Sequence, residues 1–263
     1  MSKDQDPVFV GVWSPGAALT DGPGAKIAIV AALEREVRPL VNGWRVRRQE
    51  SAGRQFTFFE RDRTVVVCGG IGAECARRAT QAVIVLYRPE QLISAGFAGA
   101  LEPGLRVGQV LTPRTVIDAS DGSRTDTGVG EGALVSFASV ADRGQKAKLR
   151  AAYGAQAVDM EAGTVARGAQ AHGLRFLACK AISDASDFSW PAVGRFVAPN
   201  GQFRTSGFAF YLALRPWLWG RVIELARDSR QASARLCQSL AVLGATPLQQ
   251  SESIFRASAA VKP

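Results

Sequence analysis

The sequence predicts an α/β protein built on an open sheet rich in parallel strands. Two observations lead there. Apolar strands alternate with helices along most of the chain, with no fixed-period repeat. Two of those strands, late in the chain, run straight into carboxylates, the position where open α/β sheets bind ligands. The 263 residues, 47% of them hydrophobic, are enough for one large domain with a buried core.

Residues 1–25 are rich in Gly, Pro, Asp and Ser and are expected to form a loosely docked extension. Lys26 to Ala31, apolar from Ile27 on, reads as a buried strand; Glu34 to Leu40 reads as a short helix after it. Gln55 to Glu60 and Thr64 to Cys68 form a hairpin pattern that turns near Arg61-Asp62-Arg63. Gly69-Gly70-Ile71-Gly72 then leads into a helix from Ala73 to Tyr87, closed by Pro89. Gln91 to Ala95 is a buried strand followed by Gly96-Phe97-Ala98-Gly99-Ala100-Leu101. Val110 to Ile117 and Ala133 to Val140 are predicted strands, separated by a polar loop from Asp118 to Gly132. Gln145 to Tyr153 is predicted helical.

The strand Ala155 to Val158 enters Asp159-Met160-Glu161, and a helix from Ala162 to Ala171 follows. Phe176 to Asp184 is the second strand with an acidic end. The α/β core is assigned to 26–187. An aromatic and basic helical part of the same domain spans 188–244, with a helix from Trp217 to about Leu243, and a polar tail covers 245–263.

The net charge of +9 suits an anionic partner, but the arginines are scattered. No helix-turn-helix, RNP or zinc-finger spacing occurs, so no nucleic-acid partner is expected. Cys68, Cys75, Cys179 and Cys237 form no Cys-x-x-Cys and read as reduced core residues of a cytoplasmic protein. His172 is the one histidine and sits at a helix end; no metal site or cofactor is implied. Met1 to Pro7 is polar and acidic, and Val8 to Trp13 is too short an apolar run for a signal peptide. No apolar stretch is long enough to span a bilayer.

A lone Glu161 is explained by the helix dipole, as a first-turn acid. Paired with Asp184 at a second strand end, it points to a site that handles a sugar and its leaving group. The Gly70 to Gly72 turn lets a backbone approach a ligand, but Cys75 stands where a dinucleotide fingerprint has its third glycine. A tight structural turn explains it equally well.

Five motifs in order resemble the purine nucleoside phosphorylase superfamily, and within it the methylthioadenosine/S-adenosylhomocysteine nucleosidases. They are Ala31-Ala32-Leu33-Glu34-Arg35-Glu36-Val37, Gly70-Ile71-Gly72, Ser94 to Leu101, Val158 to Ala162, and Ala181-Ile182-Ser183-Asp184. Leu214-Arg215-Pro216 and the run Leu225 to Ala232 resemble the hopanoid-associated branch. The resemblance implies a three-layer αβα nucleoside-phosphorylase fold with a central mixed sheet. It also implies hydrolytic release of adenine from a 5′-modified adenosine, adenosylhopane in that branch, and a homodimer or larger assembly.

Roles follow from the same resemblance. Asp184 would protonate purine N7, with burial and Asp187 expected to raise its pKa. Glu161 would hold the ribose hydroxyls and favour the cationic transition state. Met160 would pack on the sugar, Glu36 would activate the attacking water, and Ser183 with the backbone near Val140 would frame the base. Two residues depart from the nucleosidase pattern where it holds the nucleophile. Phe97 stands in place of Ser and donates no hydrogen bond; Lys180 stands in place of Arg and lacks the planar fork.

Two other classes stay open at this point. One is a phosphorolytic enzyme, although the phosphate-binding arginines have no clear counterpart and Glu36 would repel phosphate. The other is a non-catalytic relative that binds nucleoside or lipid. The C-terminal aromatics Trp190, Phe196, Phe203, Phe208, Phe210, Tyr211, Trp217 and Trp219, with Arg215, Arg221, Arg227 and Arg230, either seal the core or a dimer or meet an anionic membrane face.

Overall fold

Strand β1 (Ile27–Ala31) is buried along its whole length, and its alternating side chains enter two different cores. Ala28 and Val30 pack with α2 (Ala73–Tyr87) and α4 (Ala162–Ala171). Ile27, Ile29 and Ala31 pack with α1 (Glu34–Val41) and the C-terminal helix α5 (Trp219–Ala245). Helices therefore cover both faces of the sheet, which gives the predicted three layers. The protein is described from a computed structural model, which covers residues 26–188, 196 and 219–245.

The remaining strands are β2 (Arg45–Ser51), β3 (Arg54–Arg61), β4 (Thr64–Cys68), β5 (Gln91–Ala100), β6 (Val110–Leu111), β7 (Thr115–Asp118), β8 (Arg124–Asp126), β9 (Ala133–Ser136), β10 (Ala157–Asp159) and β11 (Arg175–Asp184). Helix α3 (Arg143–Tyr153) precedes β10. Among the described residues all eleven strands join one mixed sheet in the order β2-β3-β4-β1-β5-β10-β9-β7-β8, with β11 on β5 and β6 on β11.

Strand β5 is the hinge of the design. Its first half lies between β1 and β11, both parallel to it, and its end meets β10 antiparallel. Gly99 thus lies opposite both Val158 of β10 and Asp184 of β11. This is how chain segments far apart in sequence converge on one strand end.

Several elements differ from the sequence expectation. The hairpin strand before Arg61 belongs to a three-stranded meander, because the polar and mostly exposed β2 pairs with β3 at the sheet edge. Val110 to Ile117 is two strands, split at Pro113, which has no N–H for a ladder. The loop from Asp118 to Gly132 contains β8, paired antiparallel with β7. Strand β9 stops at Ser136 rather than Val140, because its neighbour β10 ends opposite it at Asp159. Strand β5 continues through Gly96 to Ala100 instead of ending at Ala95.

Helix α5 is tied to α1 by a specific device. Pro39 lies inside α1 and cannot donate to the carbonyl of Arg35, four residues before it. Ser233 of α5 donates to that carbonyl at 3.2 Å and lies 3.0 Å from the Glu36 carbonyl. Ala232, Leu236 and Leu240 are buried beside this contact. Among the described residues no helix is long and apolar enough to cross a membrane. The extension 1–25, Trp190, Phe203, Phe208, Phe210, Tyr211, Arg215, Trp217, the side chains of Trp219 and Arg221, and the tail after Ala245 lie outside the described residues.

Candidate active site

A cavity of about 1040 Å³ opens at the carboxyl ends of β1, β5, β10 and β11. Glu36, Phe97, Met160, Glu161, Ser183 and Asp184 all line it, and Val140 reaches it from the segment after β9. Gly70, Gly72 and Lys180 do not line it. The two glycines form the turn into α2, and Lys180 is buried beneath the wall.

Glu36 occupies the first turn of α1, where its Oε2 accepts from the Leu33 N–H at 3.4 Å. It is 5% exposed. Burial first, then the charge of Glu161, push its pKa from 4.5 up to about 7, against the pull of Lys180 and the Leu33 N–H. A carboxylate tuned to neutrality suits a general base. Gly96 makes the room for it: a Cβ there would stand 3.0 Å from Glu36 Oε2 and 3.7 Å from Lys180 Nζ. The φ of +147° at Gly96 also favours glycine.

Glu161 is placed by the start of α4 and by the glycine turn. Its Oε1 accepts from Gly72 N–H at 2.8 Å, and its Oε2 accepts from Met160 N–H at 3.3 Å. The N-terminus of α2, a position that favours an anion, therefore holds a carboxylate of the protein itself. Burial and the nearby Asp159 raise the Glu161 pKa, while Lys180 and the two N–H bonds oppose the rise.

Beneath this wall Asp159 is fully engaged. It accepts from Lys180 Nζ at 2.8 Å, from Ser136 Oγ at 2.5 Å and from Ala162 N–H at 2.9 Å. Burial works against the charge on Lys180, but Asp159, Glu161 and Glu36 together raise its pKa. Three carboxylates thus share one ammonium. Removing that ammonium would leave Asp159 as an uncompensated buried charge, at a cost of about 3–5 kcal/mol.

Asp184 lies three residues further along β5, about 10 Å of strand, at Gly99. A Cβ on Gly99 would stand 2.9 Å from its Oδ2. Ser183 Oγ donates to Asp184 Oδ1 at 2.6 Å, and Lys146 Nζ is in contact with Oδ2. The neighbour of Asp184 is therefore a cation from α3, where the sequence suggested Asp187; Asp187 is exposed. Lys146 was missed because lysines on helices ordinarily face water. The available signal was its register: Lys146 and Leu149 share the buried face of α3.

The site has two poles along one strand edge. At one end Glu36 and Glu161 present carboxylates to the cavity; at the other Asp184 and Ser183 present a carboxyl and a hydroxyl. Among the described residues no cluster of His, Cys, Asp or Glu is arranged to hold a metal.

Comparison with known proteins agrees with this geometry. The chain matches the Phosphorylase superfamily over residues 26–143 and 136–194. It is 27% identical over 92 residues to a 5′-methylthioadenosine/S-adenosylhomocysteine nucleosidase of Buchnera aphidicola, a match covering 34% of this chain and 39% of that protein. It is 33% identical over 95 residues to the Marinomonas nucleosidase, covering 35% and 41% respectively. The chain thus matches about two-fifths of the length of these relatives. The crystal structure of the Streptococcus pyogenes S-adenosylhomocysteine nucleosidase with 5-methylthiotubericidin has the same fold: the TM-score is 0.63 at 18% identity, over 86% of this chain and 99% of that one.

Proposed function

This chain belongs to the phosphorylase superfamily, and on that premise we propose that it hydrolyses the N-glycosidic bond of a 5′-modified adenosine and releases adenine. The observation that carries the reading is the pairing, in one cavity, of Glu36 raised to about 7 with Asp184 at the far end of the same strand edge. Cleavage builds positive charge on the ribose and negative charge on the purine. Glu161 would stabilise the first, Asp184 would protonate the second at N7, and Glu36 would take the proton of the attacking water. Met160 packs on the sugar; Ser183 and the segment at Val140 frame the base, and Phe97 lines the cavity where the nucleosidase pattern has a Ser that holds the nucleophile. Lys180 and Gly72 support the two glutamates from behind, and Gly70 shapes the turn.

Hydrolysis is favoured over phosphorolysis. The helix N-terminus that could hold a phosphate is occupied by Glu161, and a second anion there would face Glu36 as well. Adenine should therefore be released from methylthioadenosine at an undiminished rate in phosphate-free buffer. Strict phosphate dependence with a ribose-1-phosphate product would sink the hydrolase reading. Binding of the nucleoside without any adenine release would favour a non-catalytic relative.

For the 5′ substituent, the reading is a large apolar group such as the hopane skeleton of adenosylhopane, in keeping with the hopanoid-associated branch. Its support is the far part of the cavity between α1 and α5, where Leu33, Pro39, Leu225 and Ala226 give an apolar strip flanked by Arg35, Arg38, Asn42, Ser229 and Arg230. Each buried methylene is worth about 0.8 kcal/mol, so a polycyclic group there would dominate binding. Such a substrate would be met at the inner membrane face by a cytoplasmic homodimer or larger assembly. The exposed Ile223, Arg227, Arg230 and Arg235 of α5 suit an anionic surface. Wild type should co-sediment with anionic vesicles, and Trp217→Ala/Trp219→Ala should weaken this. No vesicle binding by the wild type, together with full activity on methylthioadenosine, would leave an ordinary soluble nucleosidase.

A further inference from the structure

We propose that Lys146 and Asp184 form one proton-donating unit for the departing purine, with the mobile proton held on Lys146 in the resting pair. The inference rests on the nucleosidase reading above. Lys146 is 2% exposed, yet it lines the cavity beside Asp184. Its Nζ contacts Asp184 Oδ2 and donates to the Ala185 carbonyl at 2.7 Å. The other oxygen of Asp184 accepts from Ser183 Oγ. Asp184 thus accepts at both oxygens, and the hydrogen it would pass to a base has to arrive from a neighbour.

Folding does not account for a charge at this position. Replacing a buried ion pair with apolar side chains is often neutral or stabilising, and Leu149 shows that this face of α3 packs well with an apolar residue. The helix is instead fixed to present its lysine. Asp142 caps it by accepting from Gln145 N–H at 2.8 Å, and Gly99 leaves the space in which the lysine stem and the Asp184 carboxylate meet.

A bound nucleoside covers the pair, and loss of water favours its neutral form. The proton moves from Lys146 Nζ to Asp184 Oδ2 and on to purine N7 as the C1′–N9 bond breaks with its electron pair going to the purine. The water oxygen bonds to C1′ and its proton goes to Glu36. After products leave, Glu36 returns a proton to solvent and Lys146 takes one up.

The test compares Lys146→Met and Lys146→Arg on two substrates. Methylthioadenosine needs a protonated leaving group; 4-nitrophenyl riboside does not, because nitrophenolate departs as the anion. Lys146→Met should lower adenine release about 100-fold, and the loss on nitrophenyl riboside should be far smaller. Arginine keeps the charge but does not give up its proton, so Lys146→Arg should stay low on adenine release while binding nucleoside and melting like wild type. Restoration of adenine release by arginine would reduce Lys146 to a holder of Asp184 and overturn the proposal. Equal losses of Lys146→Met on both substrates would overturn it too. A wild type that releases no adenine would instead remove the nucleosidase reading on which it rests.

Discussion

Asp184→Asn should lower adenine release by at least about 100-fold and leave the fold intact. The side chain is the same size, so Gly99 still accommodates it, and the amide can still accept from Ser183 or Lys146. What is lost is the ability to relay a proton, since an amide oxygen cannot hold one at neutral pH. The variant also leaves Lys146 without its anionic partner, so a modest drop in melting temperature is expected, smaller than for a fully buried pair because Asp184 is 22% exposed. Adenine release measured by chromatography, with a thermal melt alongside, separates the two effects. Near wild-type turnover would remove Asp184 from the role of acid.

Glu36→Gln should have an equally large kinetic effect and the opposite effect on stability. Without a carboxylate the attacking water has no base, and turnover should fall by about 100-fold or more. The folded pKa of Glu36 is raised from 4.5 to about 7, so between those values the folded state binds more protons than the unfolded chain. Stability therefore falls as pH rises through this window, and the penalty is complete above about 7. A shift of this size corresponds to roughly 3 kcal/mol. Glu36→Gln should accordingly melt higher than wild type at pH 8 and lose that advantage near pH 4. In the wild type, kcat/KM should rise with pH through about 7 as the base ionises. An acid limb in the ordinary carboxylate range, or a variant less stable than wild type at pH 8, would show that Glu36 is not held in the environment described.

Much of this was legible in the sequence for a physical reason. Buried parallel strands are continuous apolar runs, so β1, β4 and the first half of β5 stand out, and the acids at the ends of β10 and β11 are conspicuous against them. Polar edge strands carry no such signal, and β2 and β8 were not visible for that reason. The supporting network was hidden because its partners are far apart in the chain. Nothing near Glu36 announces that Ser233 braces its helix, nor does the neighbourhood of Asp184 reveal Lys146. The glycines were ambiguous in isolation. Gly96 and Gly99 acquire meaning only when Glu36 and Asp184 are seen in the space a Cβ would take.

The most direct test is a crystal structure of Asp184→Asn with methylthioadenosine bound. It should show the adenine ring against residue 184 and Ser183, the ribose hydroxyls on Glu161, a water between Glu36 and C1′, and the 5′ group directed towards the space between α1 and α5. A nucleoside bound in the reverse sense, with its base towards Glu36, or one bound outside this cavity, would contradict it.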